Sequence, residues 1–238
     1  MNTSANDVYR RSVNAGDRAH ASSELASFFA KTYAWMGLGL AMTGCVAVAV
    51  VNSETMMNLI YGNRAMVWVL LFGQIALVWA FAAMAHRVSG TTAALMFTAY
   101  AASVGLTLSS IFLVYSQSSI TQMFFVTAGA FGGLSLVGAT TKRDLTPIGR
   151  FMMMGLFGLV IAVVVSWFWQ NSAFQFVMSC AGVLIFSGLT AYDTQKLKNI
   201  YSERGEAGNL ALRGALTLYL DFINLFLFLL RLFGSRRD

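Results

Sequence analysis

Apolar residues along this chain gather into long runs separated by short polar breaks, with no period-two alternation that would suggest strands. The runs cover roughly 28–51, 65–86, 92–115, 120–140, 148–170, 174–195 and 214–234. Each is close to the ~20 residues that a helix needs to cross a bilayer, so the pattern predicts seven transmembrane helices. The breaks have local causes. Asn52-Ser53 and Tyr61-Gly62-Asn63 interrupt the first connection and Ser89-Gly90 the second. Thr146-Pro147 reads as a helix start, because proline is tolerated in a first turn. Short connections predict antiparallel neighbours, and no internal repeat or second domain is visible. The expected organisation is an N-terminal tail (1–27), one seven-helix domain (28–234) and a C-terminal tail (235–238). A signal peptide would place its apolar core much nearer the start, so the tail is expected to be uncleaved and cytoplasmic.

Composition strengthens this reading. The 238 residues are 57% apolar and 11% charged, against about 25% charged in soluble domains. The fold class is therefore an all-α membrane protein whose first partner is the lipid bilayer. The net charge of +6 would point to nucleic acid in a soluble protein. Here the cations sit in short connections and set orientation, so no nucleic-acid partner is expected. Arg10, Arg11, Arg18 and Lys31, then Arg87, then Lys142, Arg143 and Arg150, then Lys196, Lys198, Arg204 and Arg213 fall on alternate connections, and the others carry only Arg64. By the positive-inside rule the N-terminus is cytoplasmic. Seven crossings then put the C-terminus outside, although Arg231, Arg236 and Arg237 lie there. The alternative is a last segment that dips in and returns.

Cys45 and Cys180 lie inside apolar runs and read as packing residues rather than a disulfide. Glycines such as Gly37, Gly39, Gly44, Gly129, Gly132, Gly133, Gly155 and Gly158 read as sites of close helix approach. Met152 to Met154 are consecutive, which does not make the one-faced spacing of a metal relay.

Two carboxylates fall within or at the edge of a span, Asp193 in the sixth and Asp221 in the seventh. A charge near the centre of a membrane helix costs roughly 2.5–3.5 kcal/mol on insertion scales, so it needs a partner. A seventh helix starting near Gly214 places Asp221 about 10 Å in, and Asp193 lies roughly 3–6 Å from its own helix end. The two can meet just inside the cytoplasmic face. Two like charges held together cannot both readily ionise, so the pair would titrate as a unit and act as a proton-sensitive latch. Their oxygens also suit a hard cation such as Ca²⁺. The plainer readings are an interfacial charge for Asp193 and a structural hydrogen bond for Asp221. Asn224, one turn beyond Asp221, and Tyr219 are supporting polar residues. His86 and Arg87, at the cytoplasmic end of the second span, are candidate counter-ions or latch residues.

Four stretches, GLTLSSIFLVY (105–115), TKRDLTPIG (141–149), FSGLTAYDTQKL (186–197) and LYLDFINLFLFLLRLFG (218–234), resemble the Bax inhibitor-1 family, also called the transmembrane Bax-inhibitor-motif family, and especially its bacterial members. The resemblance implies three helix pairs around a central last helix in a bacterial inner membrane. It also implies a pH-sensitive Ca²⁺ leak governed by an aspartate pair matching Asp193 and Asp221, with a basic latch that falls to Arg87 or His86. Some members carry an acidic residue earlier in the second helix, where this chain has Gln74.

The leading functional expectation is a proton-gated cation leak, with Ca²⁺ as permeant ion and no cofactor. The alternative is a non-conducting regulator that binds other membrane proteins such as proteases or stress factors. A third reading, an intramembrane aspartyl protease, is suggested by Tyr192-Asp193. It is weakened because Tyr219-Leu220 stand before Asp221 where those enzymes have Gly-x-Gly. A retinal photoreceptor is excluded, since the last span has no lysine for a Schiff base. No phosphate loop, zinc spacing or nucleophile triad points to an enzyme.

Overall fold

A computed structural model of the chain describes residues 3–169 and 171–237, with side chains from His20 onward. Residues 1, 2 and 238, assigned above to the tails, and residue 170, assigned to the fifth span, lie outside the described residues. The chain forms α1 (Thr3–Val51), α2 (Glu54–Tyr61), α3 (Arg64–Met84), α4 (Gly90–Leu108), α5 (Ile111–Val114), α6 (Gln117–Thr140), α7 (Thr146–Ser166), α8 (Ser172–Arg204) and α9 (Leu210–Phe233). Seven of these, counting α4 and α5 as one span, are long and apolar enough to cross a membrane.

Each predicted span is found, with four differences. Helix α1 begins at Thr3 rather than near residue 28, so the described part of the expected tail continues the first span as helix. The first connection contains α2, a two-turn helix capped by the Ser53 side chain, which accepts from the Met56 N–H. It is too short to show a periodic pattern of its own. The third span breaks at Ser109 and Ser110, whose hydroxyls turn back onto the carbonyls of Leu106 and Thr107. A further difference is in α8, which runs nine residues past the predicted end at 195, to Arg204. The polar run after Asp193 reads as a loop, yet its side chains have structural partners. Gln195 accepts from the Leu145 N–H and donates to the Arg143 carbonyl, and Lys198 donates to the Ala139 carbonyl. These bonds clamp the α6–α7 connection onto α8.

Helix α9 is the axis of the bundle. It packs against α8, α1, α6 and α4, and its buried side chains face every direction. A leucine- and phenylalanine-rich helix suits that place, because it can fill contacts all around its circumference. Tyr219, fully buried, pairs its hydroxyl with Thr43 at 2.7 Å, and Thr43 donates to the Ala101 carbonyl at 2.8 Å. One short chain of hydrogen bonds thus joins α9, α1 and α4. Glycine has two distinct uses. A side chain at Gly138 would strike the Ala191 carbonyl and one at Gly182 the Phe228 ring, so these positions allow close approach. A Cβ at Gly37, Gly44, Gly129, Gly132, Gly133 or Gly158 would meet nothing within 4 Å, so the packing role expected of them is not seen.

The far end of α9 decides between the two expected courses of the last segment. After Phe233 the chain pairs with the α5–α6 connection: Ser116 N–H donates to the Ser235 carbonyl, Arg237 N–H to Val114, and Ser235 N–H to the Ser119 hydroxyl. That connection lies at the opposite end of α6 from the α6–α7 clamp, so α9 crosses rather than returns. The Arg237 guanidinium is held on the Phe112 carbonyl at 2.9 Å.

At the near end, Gly205, Gly208 and Asn209 adopt positive φ in the tight α8–α9 turn. Asn209 donates from Nδ2 to the carbonyls of Ala85 and Val88, pinning the turn to the end of α3. Asn209→Gly keeps the backbone conformation but removes both bonds. It is expected to cost on the order of 1–3 kcal/mol, read as a lower thermal unfolding midpoint of the purified protein in detergent.

Candidate functional site

The α8–α9 turn sets the register of the two helices it joins. Asp193 lies eleven residues before the end of α8, and Asp221 lies eleven residues after the start of α9. In an antiparallel hairpin, residues equally far from the turn face one another. The two carboxyl groups accordingly come within hydrogen-bonding reach. Eleven residues correspond to roughly 16 Å of helix. The pair therefore sits near the middle of α9, farther along the two helices than the 10 Å expected from a start near Gly214 and the 3–6 Å expected from an end near 195.

Both carboxyls are nearly sealed from solvent, Asp193 at 7% and Asp221 at 4% exposure. The neighbouring hydroxyls on α8 do not serve them. Thr190 donates to the Phe186 carbonyl and Thr194 to the Thr190 carbonyl, each within its own helix. Asp221 Oδ2 is left buried without a hydrogen-bond partner among the described residues. A hydrogen bond between two carboxyl groups requires a proton on one of them, and two bare carboxylates out of water would repel strongly. The arrangement is therefore a contact whose strength depends on how many protons it holds.

A cavity of about 190 Å³ reaches Asp193 from the side of the α8–α9 turn and is lined by Lys196, Arg213, Thr217, Phe81 and Leu216 among others. Lys196, one helical turn beyond Asp193, lines the cavity beside it. Arg213 borders both this cavity and a second one of about 390 Å³ that includes His86 and Arg204. Lys196 and Arg213 read from sequence as orientation charges only. The signal that could have singled out Lys196 was its spacing of three from Asp193 on a helix.

The structure does not bring the expected latch residues to the pair. Arg87 Nε donates to His86 Nε2 at 3.0 Å, and both side chains are exposed. They follow the end of α3, beyond the turn held by Asn209, and the cavity leading to Asp193 is lined by Lys196 and Arg213 instead. The supporting polar residues also have other partners. Asn224 donates to the Leu220 carbonyl of its own helix. Tyr219, two residues from Asp221 and so on the opposite side of α9, bonds Thr43. Gln74 donates to the Ser103 carbonyl and the Thr107 hydroxyl, which ties α3 to α4.

A resident Ca²⁺ takes about six to eight oxygen ligands. Two carboxyls supply at most four, and no cluster of three His, Cys, Asp or Glu side chains exists among the described residues. The donor set does not fit a resident Ca²⁺ site; it suits at most a transient contact completed by water. Outside the membrane-spanning helices, Asp144 accepts from the Thr146 N–H at 2.9 Å at the start of α7. The Thr146 hydroxyl and N–H, with a smaller effect of Arg150, hold its carboxyl below the usual carboxylate value.

Residues 25–238 match the family model described as "Inhibitor of apoptosis-promoting Bax1". The inner membrane protein YbhL of Escherichia coli strain K12 is 46% identical over 218 residues, covering 90% of this chain and 93% of its own. A protein of Caulobacter vibrioides is 40% identical over 98% of both chains. A membrane protein of Streptococcus pyogenes serotype M3 is 37% identical over 88% of this chain and 93% of its own.

The shared contact predicts non-additive energetics. In a thermodynamic cycle of Asp193→Asn, Asp221→Asn and the double variant, the coupling is expected at roughly 0.5–3 kcal/mol. It is measured from unfolding of the detergent-solubilised protein. Strict additivity would mean that the two carboxyls do not interact.

Proposed function

The chain belongs to the Bax inhibitor family of multi-pass membrane proteins, and we propose that it acts as a pH-sensitive cation leak gated by Asp193 and Asp221. The proposed cargo is Ca²⁺, the proposed home is the bacterial inner membrane with the N-terminus cytoplasmic, and no cofactor takes part. The observation that carries the proposal is the buried carboxyl pair, of which Asp193 lines a cavity on the face of the α8–α9 turn.

In the closed form, a proton shared by the pair ties α8 to α9. Beyond the pair, α9 presents Leu225, Phe226, Phe228, Leu229 and Leu230 to its neighbours, all buried. This apolar stretch is a seal, so conduction requires α8 and α9 to separate. Changing the number of protons on the pair changes the strength of the contact that holds them. Asp193, lining the cavity, meets an arriving cation first, and Asp221 lies behind it. In place of Arg87, Lys196 and Arg213 take the role of cations at the cavity, where their charge opposes cation entry until the contact between the helices changes.

The same apolar seal favours a second reading, a non-conducting regulator that binds other membrane proteins. A third reading as an aspartyl protease has less support, because Tyr219-Leu220 precede Asp221 where those enzymes have Gly-x-Gly.

Reconstituted vesicles separate the first two. Wild-type protein should pass Ca²⁺ at a rate that varies with pH. Asp193→Asn and Asp221→Asn should flatten that profile and change the flux at neutral pH on the order of tenfold. Identical profiles in all three proteins would sink the gate. Flux no greater than that of empty vesicles, together with a stoichiometric membrane-protein partner on crosslinking, would favour the regulator.

A further inference from the structure

Helices α8 and α9 leave one tight turn in opposite directions, so side chains close to that turn on either helix gather at one end of the bundle. Arg204 closes α8 and Arg213 lies in the first turn of α9. Both line a hollow of about 390 Å³, together with His86 from just beyond the end of α3. That volume lies within the ~300–1,000 Å³ of small-molecule pockets. Arg213, Ile200 and Leu210 also line the 190 Å³ cavity that holds Lys196, so the two hollows adjoin. Three cations and an imidazole are thus distributed over connected, concave walls.

These charges lack counter-charges. Among the described residues the one ion pair is Lys31–Glu206, so Lys196, Arg204 and Arg213 have no carboxylate within 4 Å. Lys196 Nζ lies 5.7 Å from the centre of the Tyr192 ring. His86 Nε2 accepts from Arg87 Nε at 3.0 Å, which leaves Nδ1–H as a donor. The one carboxylate on these walls is Asp193, which lines the smaller hollow and not the larger. The negative end of a helix dipole accounts for Arg204 at the close of α8. It does not account for Arg213, which stands at the positive end of α9, where a cation is disfavoured. A cleft lined by charge of one sign concentrates ions of the other.

We propose that the two adjoining hollows form a binding site for a phosphate-bearing anion, with Arg213 between Arg204 and His86 on one side and Lys196 on the other. Guanidinium forks match phosphate oxygens with paired hydrogen bonds, and a multiply charged anion suits three cations better than a monocarboxylate does. Binding does not depend on the leak reading. One consequence does: a bound phosphate offsets the positive charge beside Asp193, so its occupancy tunes the approach of a cation to the aspartate pair.

Titration calorimetry of the full chain in detergent, at constant ionic strength, tests this with sodium pyrophosphate as probe and sodium acetate as the monocarboxylate control. Wild type should bind pyrophosphate saturably, and acetate about tenfold more weakly. Arg213→Gln should weaken pyrophosphate binding on the order of tenfold, and Arg204→Gln severalfold. Lys142→Gln, whose side chain lines neither hollow, should leave it unchanged. Unfolding midpoints within the wild-type range show that the variants are folded. Should Arg213→Gln fail to fold, Arg204→Gln at the exposed end of α8 carries the test. Phosphatidic acid in mixed micelles separates the two sources of phosphate. Displacement of pyrophosphate by it, dependent on the same arginines, assigns the site to a lipid headgroup, and no displacement assigns it to a soluble anion. No saturable binding of either phosphate probe, equal affinity for acetate, or equal losses in Lys142→Gln and the arginine variants overturns the proposal. Ion flux is not read here, so this outcome is separate from the fate of the leak reading.

Discussion

A carboxyl group buried in the middle of a membrane helix must have a partner, and here the partner is a second carboxyl. That constraint organises the bundle. For Asp221 to meet Asp193, α8 and α9 must be joined by a turn of fixed length, and the turn must be held in place. Asn209 does so through the end of α3. The polar face of α8 beyond Asp193 also cannot fray, and Gln195 and Lys198 secure it to the α6–α7 connection. The residues around the pair thus divide by helix face: Asp193 toward α9, Tyr192 over Gly149 on α7, and Gln195 toward the connection.

Long apolar runs made the seven spans and the two isolated carboxylates legible without a structure, because the absence of water in a bilayer forces backbone polar groups into helices. The end of α8 was not legible. TQKLKNIYSER has the composition of a loop, and its tertiary partners hold it as a helix: the bonds of Gln195 and Lys198 to residues some fifty positions away, and the packing of Leu197 and Tyr201 on the core. The distance of each aspartate from its helix end came out longer because α8 runs on to Arg204 and α9 begins at Leu210 rather than near Gly214. Helix α2 is too short to impose a period. The role of Arg87 was also illegible, since residues near a helix end share a region of the surface without sharing a contact.

Glycine illustrates a further limit. Gly138 and Gly37 look alike in sequence, each in an apolar run with other small residues nearby. One abuts a carbonyl of α8 and the other borders an open groove. A small residue in a membrane helix states that something approaches closely; it does not state whether that something belongs to the chain.

The central position of α9 also bears on how the molecule is made. The axis of the bundle is synthesised after the eight helices that precede it here, so those helices reach the membrane before the surface they share exists. Until it arrives, Thr43 lacks its tyrosine partner and Asp193 faces no second carboxyl. The early helices can pair as neighbours, α1 with α4, α3 with α4, and α7 with α8, but the final arrangement must wait. Assembly is therefore a closing step in which a loose ring of pairs condenses around a late-arriving core. A chain released before Leu210 would leave that ring without a centre.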